Sequence, residues 1–222
     1  MGTLQDLMLT LAKQGTVRTF KKSSVLLYQG EAPRMAYIIK SGVIKAYTIN
    51  NAGEEKIVTL HTPYDMFPTP WIFDKSSTTQ FYYEAATNCE ILTIERPVLR
   101  SAIMSPQQLP VVLQYFINNY TGLLMRVTAL EQSRASEKIM FTLYYLLFRY
   151  GREVKPGKYQ VDVPLTHNAT ASLVGLTRET TTHELNRLKK LGAIQYSHQI
   201  YTVDKERLER LLGEDSFEDI KL

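Results

Sequence analysis

Four side chains within the stretch LTRETTTHELNRLKKLGAI are able to read a nucleic acid: Arg178, Glu179, Thr182 and His183. A guanidinium donates two parallel hydrogen bonds to guanine O6 and N7, and a carboxylate accepts from cytosine N4. A threonine meets a thymine methyl or a phosphate, and an imidazole meets a base edge or a phosphate. Lys189 and Lys190, further along, suit phosphates, which position a protein without reading sequence. The same residues would also make an ordinary solvated helix face, so the elements that carry them decide what they are for.

Those elements are legible in VPLTHNATASLVGLTRETTTHELNRLKKLGAI. Thr166 is a helix cap, its hydroxyl placed to accept from a free backbone N–H. Ala169, Leu173 and Val174 then recur at helical spacing. Gly175 stops that helix because it takes positive φ at no steric cost, and Thr177 caps a second one. Thr181, Leu185 and Leu188 form the inward face of the second helix. Arg178, Glu179, Thr182 and His183 lie off that face in its first two turns. A second helix with polar readers at its N-terminal end is the geometry of a helix-turn-helix, whose second helix enters the major groove. After it, AIQYSHQIYTV gives two short strands, Ala193–Tyr196 and Ile200–Val203, meeting at Ser197-His198-Gln199, and YQVDV gives another strand before the first helix. Strands around a helix-turn-helix make a winged domain, with His198 at the wing tip as a phosphate contact or a plain turn residue.

Length and composition set the frame. A chain of 222 residues, 22% charged and 44% hydrophobic, holds two domains with a core each. The net charge of +4 permits a nucleic-acid partner without requiring one. Its distribution is more telling: residues 135–212 carry 12 Lys and Arg against 8 Asp and Glu, whereas 213–222 carry 4 acids and 1 lysine, a tail expected to be a solvated end. The single cysteine, Cys89, excludes an intramolecular disulfide and a single-chain iron–sulfur cysteine cluster. It lies in the strand-like NCEILTI and reads as a small core residue of a protein in a reducing cytoplasm. No apolar run is long enough to span a membrane, and MGTLQDLMLTLAKQG reads as an amphipathic helix and not a signal peptide.

Residues 16–98 are strand-dense. SVLLYQG, MAYIIKSG, VIKAYTI, EKIVTLH, QFYYEAA and CEILTIE are separated by turn signals at Gly30-Glu31, Ser41-Gly42, Asn51-Ala52-Gly53 and Pro63-Tyr64-Asp65, the rhythm of a sandwich or barrel. From Pro106 and Pro110 the pattern changes. Leu113, Phe116, Tyr120, Leu123, Val127, Leu130 and Arg134 alternate by three and four, a heptad seam for a second copy of the chain, with Ile117 and Leu124 widening the stripe. A two-fold dimer would present two recognition helices about one DNA turn apart. The next helix, SEKIMFTLYYLLFRYG, is expected to be capped by Ser136 and stopped by Gly151, and REVKPGKY to be a loop.

In this order, a strand-rich roll, a long helix and a winged helix-turn-helix resemble the cyclic AMP receptor protein / fumarate-nitrate regulator (Crp/Fnr) family of bacterial transcription factors. LYQGEAPRMAYIIKSGVIKAY and LVGLTRETTTHELNRLKKLGAI carry the likeness, RET most specifically. The resemblance implies an α+β chain: an N-terminal helix at 1–15, a cyclic-nucleotide-binding-like β-roll at 16–105, a dimerisation helix at 106–135 and a winged helix-turn-helix at 136–222. It carries the DNA-reading roles onto Arg178 and Glu179 and phosphate contacts onto Thr166 and Asn168. The DNA-facing set is then Thr166, Asn168, Thr177, Arg178, Glu179, Thr182, His183, Lys189, Lys190 and His198. Where the family often has a second arginine, this chain has His183. The implied partners are duplex DNA with a palindromic site, a second copy of the chain, and RNA polymerase touched through surface loops such as GREVKPGKY.

The sensor half departs from the family. Its cyclic-nucleotide binders carry Gly-Glu on a short helix for the ribose and Arg-Ser or Arg-Thr for the cyclic phosphate. In DMFPTPWIFDKSSTTQFYYEAA, Pro68-Thr69 and Thr79-Gln80 stand in those places, and Leu123 and Leu124 stand where the long helix would offer hydroxyls to adenine. Phe67, Trp71, Phe73, Phe81, Tyr82 and Tyr83 crowd the same stretch. Either these aromatics fill the old pocket as core, or Phe67, Thr69, Trp71, Phe73, Thr79, Leu123 and Leu124 line a site for an uncharged, largely apolar effector. No cofactor and no metal are expected. A metal-dependent enzyme on a β-roll would need two or three strand histidines, and the N-terminal half has only His61. The remaining alternative is an interaction module whose winged helix binds protein.

Overall fold

The computed structural model describes residues 3–213. The acidic tail, from residue 214 on, lies outside the described residues. The chain divides into two compact units, Met1–Ile117 and Asn118–Leu222.

The first unit opens with α1 (Leu4–Ala12), capped by Thr3, whose hydroxyl accepts from the Asp6 N–H while the Asp6 carboxylate accepts from the Thr3 N–H. Eight strands follow: β1 (Thr16–Phe20), β2 (Val25–Leu27), β3 (Ala36–Ser41), β4 (Ile44–Ile49), β5 (Glu55–His61), β6 (Met66–Phe67), then the single-turn α2 (Thr69–Ile72), β7 (Tyr82–Ala85) and β8 (Cys89–Ile94). They form two antiparallel four-stranded sheets, ordered β1-β8-β3-β6 and β2-β7-β4-β5. Six of the strands coincide with the apolar runs of the sequence. β1 and β6 do not: β1 is an almost fully exposed edge strand without apolar alternation, and β6 is two residues long. A helix unassigned from sequence, α3 (Arg96–Ile103), leads to α4 (Leu109–Glu131).

Alternation along β3, β6 and β8 divides the burial between two cores. Successive side chains of a strand point to opposite faces. Ile39, Phe67, Cys89 and Ile91 therefore face inward with Leu27, Ile44, Ala46, Tyr83 and Ala85, between the two sheets. Ala36, Ile38, Met66, Leu92 and Ile94 face the other way, against Leu7 and Leu11 of α1, Trp71 and Ile72 of α2, Leu99 and Ile103 of α3, and Val112 and Tyr115 of α4. Burial on both faces is why β8 carries Ile91, Leu92 and Ile94 without a strict apolar–polar alternation.

The second unit holds α5 (Ala135–Tyr150), β9 (Gly151–Lys155), β10 (Lys158–Val161), α6 (His167–Val174), α7 (Arg178–Lys190), β11 (Ile194–Ser197), β12 (Ile200–Asp204) and α8 (Lys205–Leu212). Its sheet runs β11-β12-β10-β9. Three sequence expectations are corrected here. The cap of α5 is Arg134, without a side-chain hydrogen bond, and Ser136 already lies inside the helix. REVKPGKY is no loop but the hairpin β9–β10, because Pro156-Gly157 turns the chain tightly with Gly157 at φ +72°. The seam helix ends at Glu131, so Arg134 does not continue it.

Candidate nucleic-acid interface

The helix-turn-helix is assembled by two matching caps and one turn. Thr166 Oγ1 accepts from the Ala169 N–H at 3.0 Å, and Thr177 Oγ1 accepts from the Thr180 N–H at 3.2 Å. Between the helices Gly175 adopts φ +75° and its N–H closes on the Ala171 carbonyl, a left-handed terminus open to glycine without strain. Leu173 and Val174 of α6 and Thr181, Leu185 and Leu188 of α7 are buried, fixing the roll of α7 about its axis.

That roll leaves Thr177, Arg178, Glu179, His183, Lys189 and Lys190 exposed. Among the described residues no side-chain hydrogen bond or ion pair engages Arg178, Glu179, Lys189 or Lys190, so their charges are free for a ligand. Glu179 also sits in the first turn of α7, where a carboxylate favours the helix dipole. His183 is less free: its Nδ1 lies 3.2 Å from Glu184, whose other oxygen accepts from Arg187 at 2.8 Å. Thr182 is half-buried and engages His167 Nδ1 at 3.3 Å. Thr166 and Asn168 are exposed at the start of α6. His198 and Gln199, at φ +50° and +66°, form the two-residue turn of the wing hairpin β11–β12 and are exposed.

Two residues escaped the sequence reading. Asn186 is exposed, one turn beyond Thr182 and His183 on the same side of α7, and its amide has the donor–acceptor pair that fits adenine N6 and N7. Its place at i+3 and i+4 from the readers was the available signal. The other is His167, the first residue of α6, which no local spacing marks. Burial and the nearby Arg178 guanidinium hold its pKa below the ordinary histidine value.

The buried Thr181 hydroxyl has no hydrogen-bond partner among the described residues. An orphaned hydroxyl of this kind costs more than its replacement by a methyl of the same shape. Thr181→Val is expected to stabilise the domain by about 1 kcal/mol, read as a rise in thermal midpoint with DNA affinity kept.

The long helix α4 carries a row of exposed apolar residues. Leu113, Ile117, Tyr120, Leu124 and Val127 are exposed, with Leu123 beside them. Leu113, Tyr120, Leu123 and Val127 belong to the seam read in the sequence, and Ile117 and Leu124 are the residues expected to widen it. Phe116, expected on the seam, is instead half-buried against the helix-side core, edge-to-face with Phe73 at 5.4 Å and with Tyr115 at 5.2 Å. Leu130 is half-buried too.

Of the residues grouped as an effector site, the aromatic ones of the first unit are divided between its two cores. Phe67 lies between the sheets, stacked on Tyr37, Tyr83 and His61 with centroids 5.2, 4.8 and 5.4 Å away. Trp71 and Phe73 belong to the helix-side core, with Arg96 over the indole at 4.8 Å and paired to Asp74 at 2.8 Å. The Thr69 hydroxyl donates to the Met66 carbonyl at 3.1 Å. Thr79 is buried, and its hydroxyl donates to the Tyr28 carbonyl at 2.6 Å. Leu123 and Leu124 are exposed on α4. Among the described residues no cluster of three or more His, Cys, Asp and Glu could hold a metal ion, and no helix is long and apolar enough to cross a membrane.

Comparison with known proteins converges on the same architecture. Residues 17–105 match the cyclic nucleotide-binding domain and residues 137–211 the Crp-like helix-turn-helix domain. The chain is 28% identical over 175 residues to the HTH-type transcriptional regulator ArcR of Staphylococcus haemolyticus, covering 78% of this chain and 76% of that one. It is 26% identical over 195 residues to the fumarate and nitrate reduction regulatory protein of Vibrio cholerae, covering 84% and 74%. Among solved structures, FixK2 from Bradyrhizobium japonicum superposes with a TM-score of 0.72 at 18% identity, covering 89% and 96%, which shows the fold. With both domains matched in order and the helix-turn-helix geometry intact, the chain belongs to the Crp/Fnr family of transcription regulators, with a DNA-binding helix-turn-helix.

Proposed function

We propose that the protein acts in the cytoplasm as a homodimer on palindromic duplex DNA, and that it does so without a cyclic nucleotide. The observation that carries the DNA half is the free, exposed Arg178–Glu179 pair on the first turn of α7, aimed by the buried Thr181, Leu185 and Leu188. The apolar stripe on α4 supports the dimer, and half-site centres are then expected about 10–11 base pairs apart. The exposed strand β9 and its turn into β10 are the surface we assign to RNA polymerase.

Arg178→Ala should weaken specific binding by about 1–3 kcal/mol and relax preference at one G·C pair per half-site. Lys190→Ala should weaken all sequences alike and flatten the salt slope. Competition binding against duplexes altered at single positions separates the two. Uniform loss in both variants would make Arg178 a phosphate contact and end the direct-readout assignment.

Cyclic AMP is expected to have no effect. A buried cyclic phosphate needs an opposing charge, because its desolvation alone costs several kcal/mol. Thr79 supplies none, and its hydroxyl is already given to the Tyr28 carbonyl. The aromatic stack around Phe67 further supports a roll filled by its own side chains. Calorimetry with millimolar cyclic AMP is the test. Affinity near ~10 μM, about −7 kcal/mol, with a matching gain in DNA binding, would overturn this reading.

A further inference from the structure

The DNA-binding reading leaves His167 without a task, yet the fold holds this ring firmly. It is the first residue of α6, half-buried between α7 and the wing. Its Nδ1 is 3.3 Å from Thr182 Oγ1, and its ring centre is 4.8 Å from that of Tyr196 on β11. Tyr196 is itself fixed: its hydroxyl donates to the Leu165 carbonyl at 3.0 Å, and its ring packs on Tyr201 at 4.7 Å. Tyr201 is anchored in turn, its hydroxyl 3.1 Å from Thr170 Oγ1 back on α6. A closed circuit of α6, α7 and the wing thus sets the imidazole against one reader side chain.

A threonine hydroxyl is ambivalent toward a base edge. It accepts from adenine N6 or cytosine N4, or donates to guanine O6, N7 or thymine O4. A partner that fixes its single proton removes that ambivalence. If Nδ1 is bare, Thr182 donates to it and turns lone pairs outward. If Nδ1 carries a proton, Thr182 accepts it and turns its own proton outward.

We propose that His167 is a positioning residue for sequence readout: its neutral ring takes the Thr182 proton at Nδ1, so that Thr182 offers DNA an acceptor, and protonation of the ring reverses this to a donor. The neutral imidazole intrinsically favours the tautomer with the proton on Nε2, which leaves Nδ1 bare. The charged and titratable groups packed on the ring agree with a neutral state. On α7 these are the Arg178 guanidinium, which with burial lowers the His167 pKa, and on β11 the Tyr196 phenol, which burial keeps protonated. The proposal rests on the DNA-binding reading above and adds to it the class of base edge read at one position, an exocyclic amino group.

The test is competition binding of the full-length protein to duplexes carrying each base pair at every half-site position, at about pH 8 and in steps down to about pH 5, below the ordinary histidine value of about 6.5 because the His167 pKa is lowered. Wild type, His167→Phe, Thr182→Val and the double variant are compared. Phenylalanine keeps the ring on Tyr196 and removes Nδ1; valine keeps the shape of Thr182 and removes its hydroxyl. At the higher pH the wild type should favour an amino-bearing base at one position by about fivefold, the worth of one hydrogen bond. Both single variants should lose that preference and the double variant should lose nothing more. Acid should erase the preference in wild type alone. His183 and His198 also lie on this face, so the readout is discrimination at the position that Thr182→Val silences, not overall affinity.

A uniform weakening of all sequences by His167→Phe would make the ring a phosphate contact and overturn the proposal. So would additive losses in the double variant, or a preference indifferent to pH. If His167→Phe proves unfolded by thermal melting, Thr182→Val and the wild-type pH series still decide. A wild type that selects no sequence at all would refute the DNA-binding reading itself and this proposal with it.

Discussion

Tyr120→Glu is expected to convert the protein to a monomer and to lower its affinity for a palindromic site by about 100-fold or more, the usual yield of joining two binding modules. Tyr120 is 62% exposed in the middle of the stripe formed by Leu113, Ile117, Tyr120, Leu124 and Val127. Where the two copies of α4 pair in parallel, a seam position faces its own copy, so the substitution would bring two carboxylates together on an apolar seam. Neither would have a counter-charge there, and desolvating them costs several kcal/mol per ion. The protomer should survive, because a largely exposed side chain contributes little to its own fold. Sedimentation and a DNA shift assay on the same samples check both parts. A dimer that persists, or a monomer that binds the full palindrome undiminished, would show that α4 does not form the interface.

Phe67→Ala should destabilise the N-terminal unit by about 3–5 kcal/mol, the range for emptying a fully packed aromatic site. Phe67 has no exposed surface and is flanked by Tyr37, Tyr83 and His61. Removing it strips contacts from three rings at once, and the close-packed core shared by strands of both sheets leaves little room for collapse. Denaturant unfolding with an unchanged slope is the measurement. A loss below about 1 kcal/mol would mean the rings around Phe67 already border a void, and would return the interior of the roll to consideration as an effector site.

The helix-turn-helix could be read locally because its signals are local. Thr166, Gly175 and Thr177 act on backbone groups within four residues of themselves, and the inward spacing of Thr181, Leu185 and Leu188 follows from helical pitch alone. Six strands were legible for the same reason, as apolar runs between turn residues. β1 was not, because an edge strand paired on one side needs no apolar alternation, and the fold supplies its partner, β8, from more than 70 residues away. The REVKPGKY hairpin was misread although Pro156-Gly157 announced it, since the exposed β9 carries no buried face to mark it.

What the sequence determined by itself was the order of domains and the second helix of the helix-turn-helix, with Arg178 and Glu179 at its head. What tertiary structure alone decided was direction. Phe116 and Ile117 are adjacent and both apolar, and only the packing of α4 on Phe73 and Tyr115 turned Phe116 inward and left Ile117 outside. Phe67 and Trp71 are four residues apart, and only the pleat of β6 and the turn into α2 sent them to separate cores. His167 and Thr182 are fifteen residues apart, and the fold brought them together. Helical period and strand alternation are properties of a segment; which face becomes the inside is settled by whatever packs against it, and that partner is distant in the chain.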